Sequence, residues 1–256
     1  MNYLFKNYYE SCKATFSQYG FKKKNGAFAR VVNDIMQNFA IEKLKSGRAC
    51  RVEFAIIPLC LRIEKEYISG GVYSHYLKKF EIVSWTLFDS WEYDKNSEAS
   101  MDACLEEIMR YLTSYLLPFF ERANSCETAL PELIKLERLF NDNRMEILRI
   151  SGIEDRADPG TEFLISDCVK YYMALKNGDY GLALKSRQAL LQQNLDAYNS
   201  MAEGGYLTEE NRMRREKGLE TLRDEIDHLS ANDIGYFQRL LEENEVYSRE
   251  NLKGFV

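Results

Sequence analysis

The sequence predicts an α+β fold: an antiparallel β-sheet with covering helices in the N-terminal part, followed by an all-α helical bundle with one tetratricopeptide-like hairpin. Three observations carry that reading. Apolar residues alternate with period two between residues 27 and 58. They recur at spacings of three and four from residue 97 onward. The one stretch that combines Gly, Pro and several charges, SGIEDRADPGTE at 151–162, separates the two parts. The chain therefore divides into an α+β domain at 1–150 and a helical domain at 160–256.

Residues 3–19, YLFKNYYESCKATFSQY, place Leu4, Tyr8, Cys12, Thr15 and Tyr19 on one stripe, with Phe5, Tyr9 and Phe16 beside it. That is an amphipathic helix, and Gly20 stands where helices end in a left-handed residue. GFKKKNG (20–26) leads into the first strand, in which Phe28, Arg30 and Val32 alternate with Ala27, Ala29 and Val31. Asn33-Asp34 makes a tight turn. Ile35, Gln37, Phe39 and Ile41 then alternate with Met36, Asn38, Ala40 and Glu42, and Ser46-Gly47 is a second turn. In RACRVEFAIIPL, Cys50, Val52, Phe54 and Ile56 share a face opposite Arg51, Glu53 and Ala55, and Pro58 closes the strand. The result is a three-stranded antiparallel meander with a charged outer face, the lysines 22–24 lying just before its first strand. One or two further strands are expected in the tyrosine-rich stretch between residues 61 and 93.

From Ser97 the helical period returns. Met101, Leu105, Ile108, Leu112, Tyr115 and Phe119 form one seam, capped by Ser97 or Ser100 and kinked or ended by Pro118. A second helix runs over roughly 129–149 through Leu133, Leu136 and Leu139. The C-terminal part reads as a hairpin with NGDY (177–180) at its turn, then helices near 208–228 and 230–244, the last with a capping signal in Ser230 and Asp233. Gly178, Asp179, Tyr180 and Ala183 fall where tetratricopeptide units have their turn and small packing residue, but no second copy follows at that period.

With 256 residues and a net charge of -6, the chain is long enough for a full core and is not built for general phosphate binding. Basic residues nevertheless concentrate between Lys6 and Arg51. Six scattered cysteines without a CxxC pair, and only two histidines, predict buried free thiols, no metal and no cofactor. The absence of an apolar leader or a 20-residue apolar run predicts a cytoplasmic protein with no membrane partner. Phosphate-binding glycine loops, GxSxG and HExxH are missing, so no catalytic residue is assigned. The function expected is a non-catalytic module that binds another protein, because Tyr and Arg concentrate interface energy. Two alternatives remain open. One is nucleic-acid binding through Lys22, Lys23, Lys24, Arg30, Arg48 and Arg51, with aromatic stacking. The other is an enzyme with a carboxylate site near Asp94 and Glu98, beside Trp91. That site requires the two acids to be sheltered in a deep pocket. The sequence sets no oligomeric state.

Phe21-Lys22-Lys23-Lys24, Phe28-x-Arg30, Gln37-x-Phe39 and Val52-Glu53-Phe54-Ala55-Ile56 resemble the start of the uncharacterised bacterial DUF4304 domains. Trp91-Glu92-Tyr93 and Leu117-Pro118-Phe119-Phe120 fit the same pattern, and the resemblance covers residues 1–122. It implies an α+β fold and a bacterial source, and it implies no activity; Gln37 also stands among the candidate binding residues. Where that family often carries Asn-Gly near the third strand, this chain has Glu53 and Ala55.

Overall fold

The computed structural model describes residues 3–64, 75–76, 90–150 and 165–255. Helix α1 (Tyr3–Phe16) buries Leu4, Tyr8, Cys12 and Phe16, one residue per turn. A tighter turn at Ser17–Tyr19 follows, closed by Gly20 at φ 82°, the left-handed conformation expected of it. Four strands come next: β1 (Lys22–Lys24), β2 (Ala27–Val32), β3 (Ile35–Lys43) and β4 (Ala49–Pro58). The expected meander is β2–β3–β4. The lysines do not precede the first strand, as the sequence suggested; they form the edge strand itself, because Asn25 and Gly26 both take positive φ and fold Lys22–Lys24 back on β2.

Two short strands, β5 (His75–Tyr76) and β6 (Ser90–Glu92), share the free edge of β4 and complete a six-stranded antiparallel sheet. The rest of the stretch expected to hold further strands lies outside the described residues, as does the boundary segment 151–162.

The register stacks Phe28, Phe39 and Phe54 across β2, β3 and β4, with Arg30, Gln37 and Ile56 in the next row. This face is covered by α1, α2 (Glu98–Tyr111) and α3 (Leu117–Arg122), whose Phe16 and Phe120 meet that aromatic row. The opposite face is not a solvated one along its length: Ala29, Met36, Asn38, Ala55 and Ile57 are buried too. Helix α5 (Asp167–Lys176) packs on β4 there, and Lys24 at the sheet edge meets Phe255. Alternation in the sequence shows two faces of different size; it does not show that the second is dry.

Ser97 caps α2 as expected, accepting from Ser100 N–H. The predicted seam is interrupted by one wider π-type turn at Leu112–Leu116. The extra residue rotates the following side chains. Past it Leu116 and Phe120 are buried while Tyr115 is half-buried; upstream of it Cys104 and Tyr111 are buried and Leu105 is half-buried. Pro118 sits at the start of α3, where its missing N–H is harmless. Helix α4 (Cys126–Ile150) begins under a cap supplied from the sheet: Asp34 Oδ1 accepts from Cys126 N–H at 2.9 Å.

Helices α6 (Tyr180–Glu203), α7 (Glu209–Ser230) and α8 (Ile234–Asn251) complete the chain, capped by Asp179, Thr208 and Asp233. Asp233, not Ser230, starts α8, because Ser230 is still inside α7 and its hydroxyl is spent on Ile226 O. Helix α8 grips the exit of β4 with side chains. Asn244 donates to Cys60 O, Ser248 donates to Leu59 O and accepts from Ile63 N–H, and Asn251 donates to Ile63 O. One contiguous apolar core runs from α1 through the sheet to α5 and α8. No helix among the described residues is long and apolar enough to cross a membrane.

Candidate functional site

The basic residues of the N-terminal part do not form one surface. Lys22, Lys23 and Lys24 are exposed on β1, but Lys23 Nζ rests 3.6 Å from the Tyr9 ring and Lys24 leans toward Phe255. Arg48 is exposed in the β3–β4 turn, and Arg51 faces Glu42 at 4.0 Å. Arg30 and Gln37 are corrections to the candidate list, because both are inside. Arg30 is 8% exposed and Gln37 is 0%. Arg30 Nε donates to Gln37 Oε1 at 2.7 Å, and its guanidinium reaches Tyr19 O and Glu121 Oε1. Gln37 Nε2 donates to Phe120 O and Ala123 O, both at 2.7 Å. The pair satisfies the carbonyls at the end of α3 and fixes that helix on the sheet. Its chemistry is used up in folding. The aromatic rings expected to stack on bases are likewise in the core, Phe28 on Phe39 at 5.4 Å among them.

Trp91 is buried at 1% exposure and packs edge-on to Tyr111. Asp94 and Glu98 are exposed. Asp94 Oδ1 accepts from Asn96 N–H, which turns the chain into α2. Asp94 and Arg48 do share an open surface hollow with Tyr93 and Ser100. A carboxylate site needs its acids sheltered, so the alternative built on Asp94 and Glu98 is withdrawn.

The thiols are free, and five of the six are buried. Burial pushes the Cys12 thiol up to about 12. A hydrogen bond with Cys60, reinforced by burial, holds Cys126 far above its ordinary value. A thiol held protonated is no nucleophile at neutral pH. An apolar hollow of about 240 Å³ lies between α3 and α4, with the Arg122–Glu132 ion pair at its rim. Its wall residues Phe54, Tyr115 and Leu139 have further partners.

The remaining site is on the α6–α7 hairpin. At its root, Arg187 (α6) and Glu225 (α7) are 5% and 7% exposed, and the guanidinium lies 3.5 Å from the Tyr171 ring centroid on α5. Arg187 Nε and Glu225 Oε2 approach to 2.6 Å, without the alignment of a hydrogen bond. Burial pushes the Glu225 carboxyl above the usual carboxylate range, against the pull of Arg187. Beyond this root the hairpin leaves the body of the protein: no residue from Gln188 to Gly218 is buried. At 1.5 Å per residue, the stretch from Arg187 to Glu203 reaches about 24 Å outward. Tyr206 and Met213 near the tip are 74% and 65% exposed.

Along one side of this arm runs a groove of about 360 Å³, formed by Asn194 and Met201 of α6 with Asn211, Arg214, Arg215, Gly218 and Leu222 of α7. The spacings 211, 214/215, 218 and 222 keep the α7 contributions on one helix face. Sequence reasoning passed over these residues. The signal was present in NRMRREKG (211–218), a cluster of cations followed by a mid-helix glycine, but it reads as ordinary solvated helix until the partner helix is in place. No protein-family model, no curated protein and no solved structure matches the chain.

Proposed function

We propose that this protein is a non-catalytic interaction module that engages another protein through the distal α6–α7 hairpin. One observation carries the reading: the whole distal arm, Gln188 to Gly218, buries no residue against the rest of the chain. Ordering two long helices costs conformational entropy, and an arm that returns no buried core is explained by a partner that docks on it. Exposed Tyr206 and Met213, beside arginines, supply the residue types on which interfaces rely.

The test is site-directed photo-crosslinking in cells that express the full chain. A benzoylphenylalanine at position 206 or 213 is expected to yield a discrete covalent adduct with one protein, and the same probe at position 23 on the β1 edge to yield none. Absence of an adduct from both hairpin positions would remove the proposal.

A further inference from the structure

The geometry points to the groove between α6 and α7 as a binding site for a short, extended acidic peptide segment, its carboxylates held by Arg214 and Arg215. This rests on the interaction reading above and names the chemistry of the partner.

Four observations converge. First, the two arginines line the groove, and among the described residues neither guanidinium has an ion-pair or hydrogen-bond partner within the chain. A guanidinium presents a fork of donors matched to a carboxylate, and two of them side by side favour a ligand with more than one acid. Second, no acid lines the groove. Two acids close by in sequence have partners of their own: Glu216 accepts from Tyr198 OH at 2.8 Å, and Asp196 accepts from Gln192 Nε2 at 2.8 Å.

Third, the remaining polar groups suit a peptide backbone. Asn194 uses its Nδ2 on Leu190 O, which leaves its carbonyl oxygen to accept, and the Asn211 side chain has no partner among the described residues. Met201 and Leu222 provide an apolar floor between them. From Asn211 to Leu222 the α7 side of the groove spans about 16 Å at 1.5 Å per residue. That is the length of about five extended residues at 3.3 Å each, and far more than one phosphate or sulfate ion needs.

Fourth, Gly218 has no structural reason to be glycine. Its φ is an ordinary one, and a Cβ built on it would meet nothing within 4 Å. A mid-helix glycine carries a conformational penalty. What its missing side chain leaves is the open middle of the groove.

The experiment uses the full-length protein and a fluorescein-labelled peptide of three Glu-Glu-Leu repeats, with a Gln-Gln-Leu counterpart as control, read by fluorescence polarisation at 50 and 200 mM salt. The acidic peptide is expected to bind, to weaken as salt rises and to lose about tenfold in affinity in R214A/R215A, given the modest worth of partly exposed ion pairs. G218L is expected to block binding by filling the groove while leaving the helical circular dichroism unchanged. The failure of acidic peptide to bind at 50 mM salt would overturn the assignment. So would equal binding of the Gln-Gln-Leu peptide, or undiminished binding in R214A/R215A and G218L, which would send the peptide to Lys22–Lys24 instead. Photo-adducts at positions 206 and 213 that persist alongside such a result would leave the hairpin as an interaction arm and sink only its preference for acid.

Discussion

Gln37 shows how far a residue's role depends on what folds over it. In the sequence it is a polar residue in an alternating strand, a reasonable binding candidate. In the structure it accepts from Arg30 and donates to two carbonyls at the end of α3, with no exposure at all. Replacing it by Ala leaves those carbonyls and the Arg30 Nε without partners inside the protein. Each buried group left unpaired costs about 1–3 kcal/mol. Q37A should therefore lose about 3 kcal/mol in urea denaturation, with the slope unchanged. Q37E should lose a similar amount, because a carboxylate keeps Arg30 but cannot donate to Phe120 O and Ala123 O. Gly218 makes the opposite case. Its surroundings are open, so G218A should raise stability by about 0.5–1 kcal/mol through helix propensity alone. A destabilised G218A would mean that the groove is closed in solution.

At the scale of elements, the root of the hairpin is held by a buried pair in which burial opposes the charge on Glu225. Glu225 is held above its ordinary value of 4.5 by burial in spite of Arg187. The folded protein therefore binds that proton more tightly than the unfolded chain does. Stability contributed by the neutral carboxyl is fully present below 4.5 and is lost as pH rises through the folded value. The difference in unfolding free energy between wild type and E225Q should thus fall as pH climbs from 4.5 toward neutrality; a rising difference would show that the ion pair outweighs burial. The same logic makes the single substitutions unequal. E225L leaves an arginine that cannot discharge, and should cost about 3–5 kcal/mol. R187M leaves a glutamate that can take up a proton, and should cost less at pH 5. R187M/E225L should recover most of the loss, because apolar replacements of buried pairs are often neutral or stabilising. None of this was legible in the sequence, where Arg187 and Glu225 stand in separate polar helices. What was legible came from local rules: period two for β2–β4, spacings of three and four for α1, α2 and α5–α8, and the turns at Asn33, Gly47 and Gly178, each with positive φ. The π-type turn at Leu112–Leu116 and the polar grip of α8 on Leu59–Ile63 answer to distant packing, which one helix's periodicity does not encode.

For the molecule as a whole, the candidate site sits where the fold invests least. Three of the candidates that the sequence offered, Arg30, Gln37 and Trp91, are consumed by the core, while Asn194, Asn211, Arg214 and Arg215 are left over on an arm the core does not need. That contrast has a measurable consequence for local stability. Amides of β3 and β4 lie in a sheet buried on both faces and should exchange with deuterium only through global unfolding. Amides from 195 to 217 are held by helical hydrogen bonds and a half-buried seam, so they should exchange through a separate opening of much lower free energy. Replacing residues 195–217 by a four-residue Gly-Ser loop keeps Arg187, Glu225 and Leu222, and removes no buried residue. The shortened protein should unfold cooperatively with a stability within about 1 kcal/mol of the parent, as expected when only surface is removed. Loss of the cooperative transition would show that the arm props up the core, and would remove the argument that it is free to serve a partner.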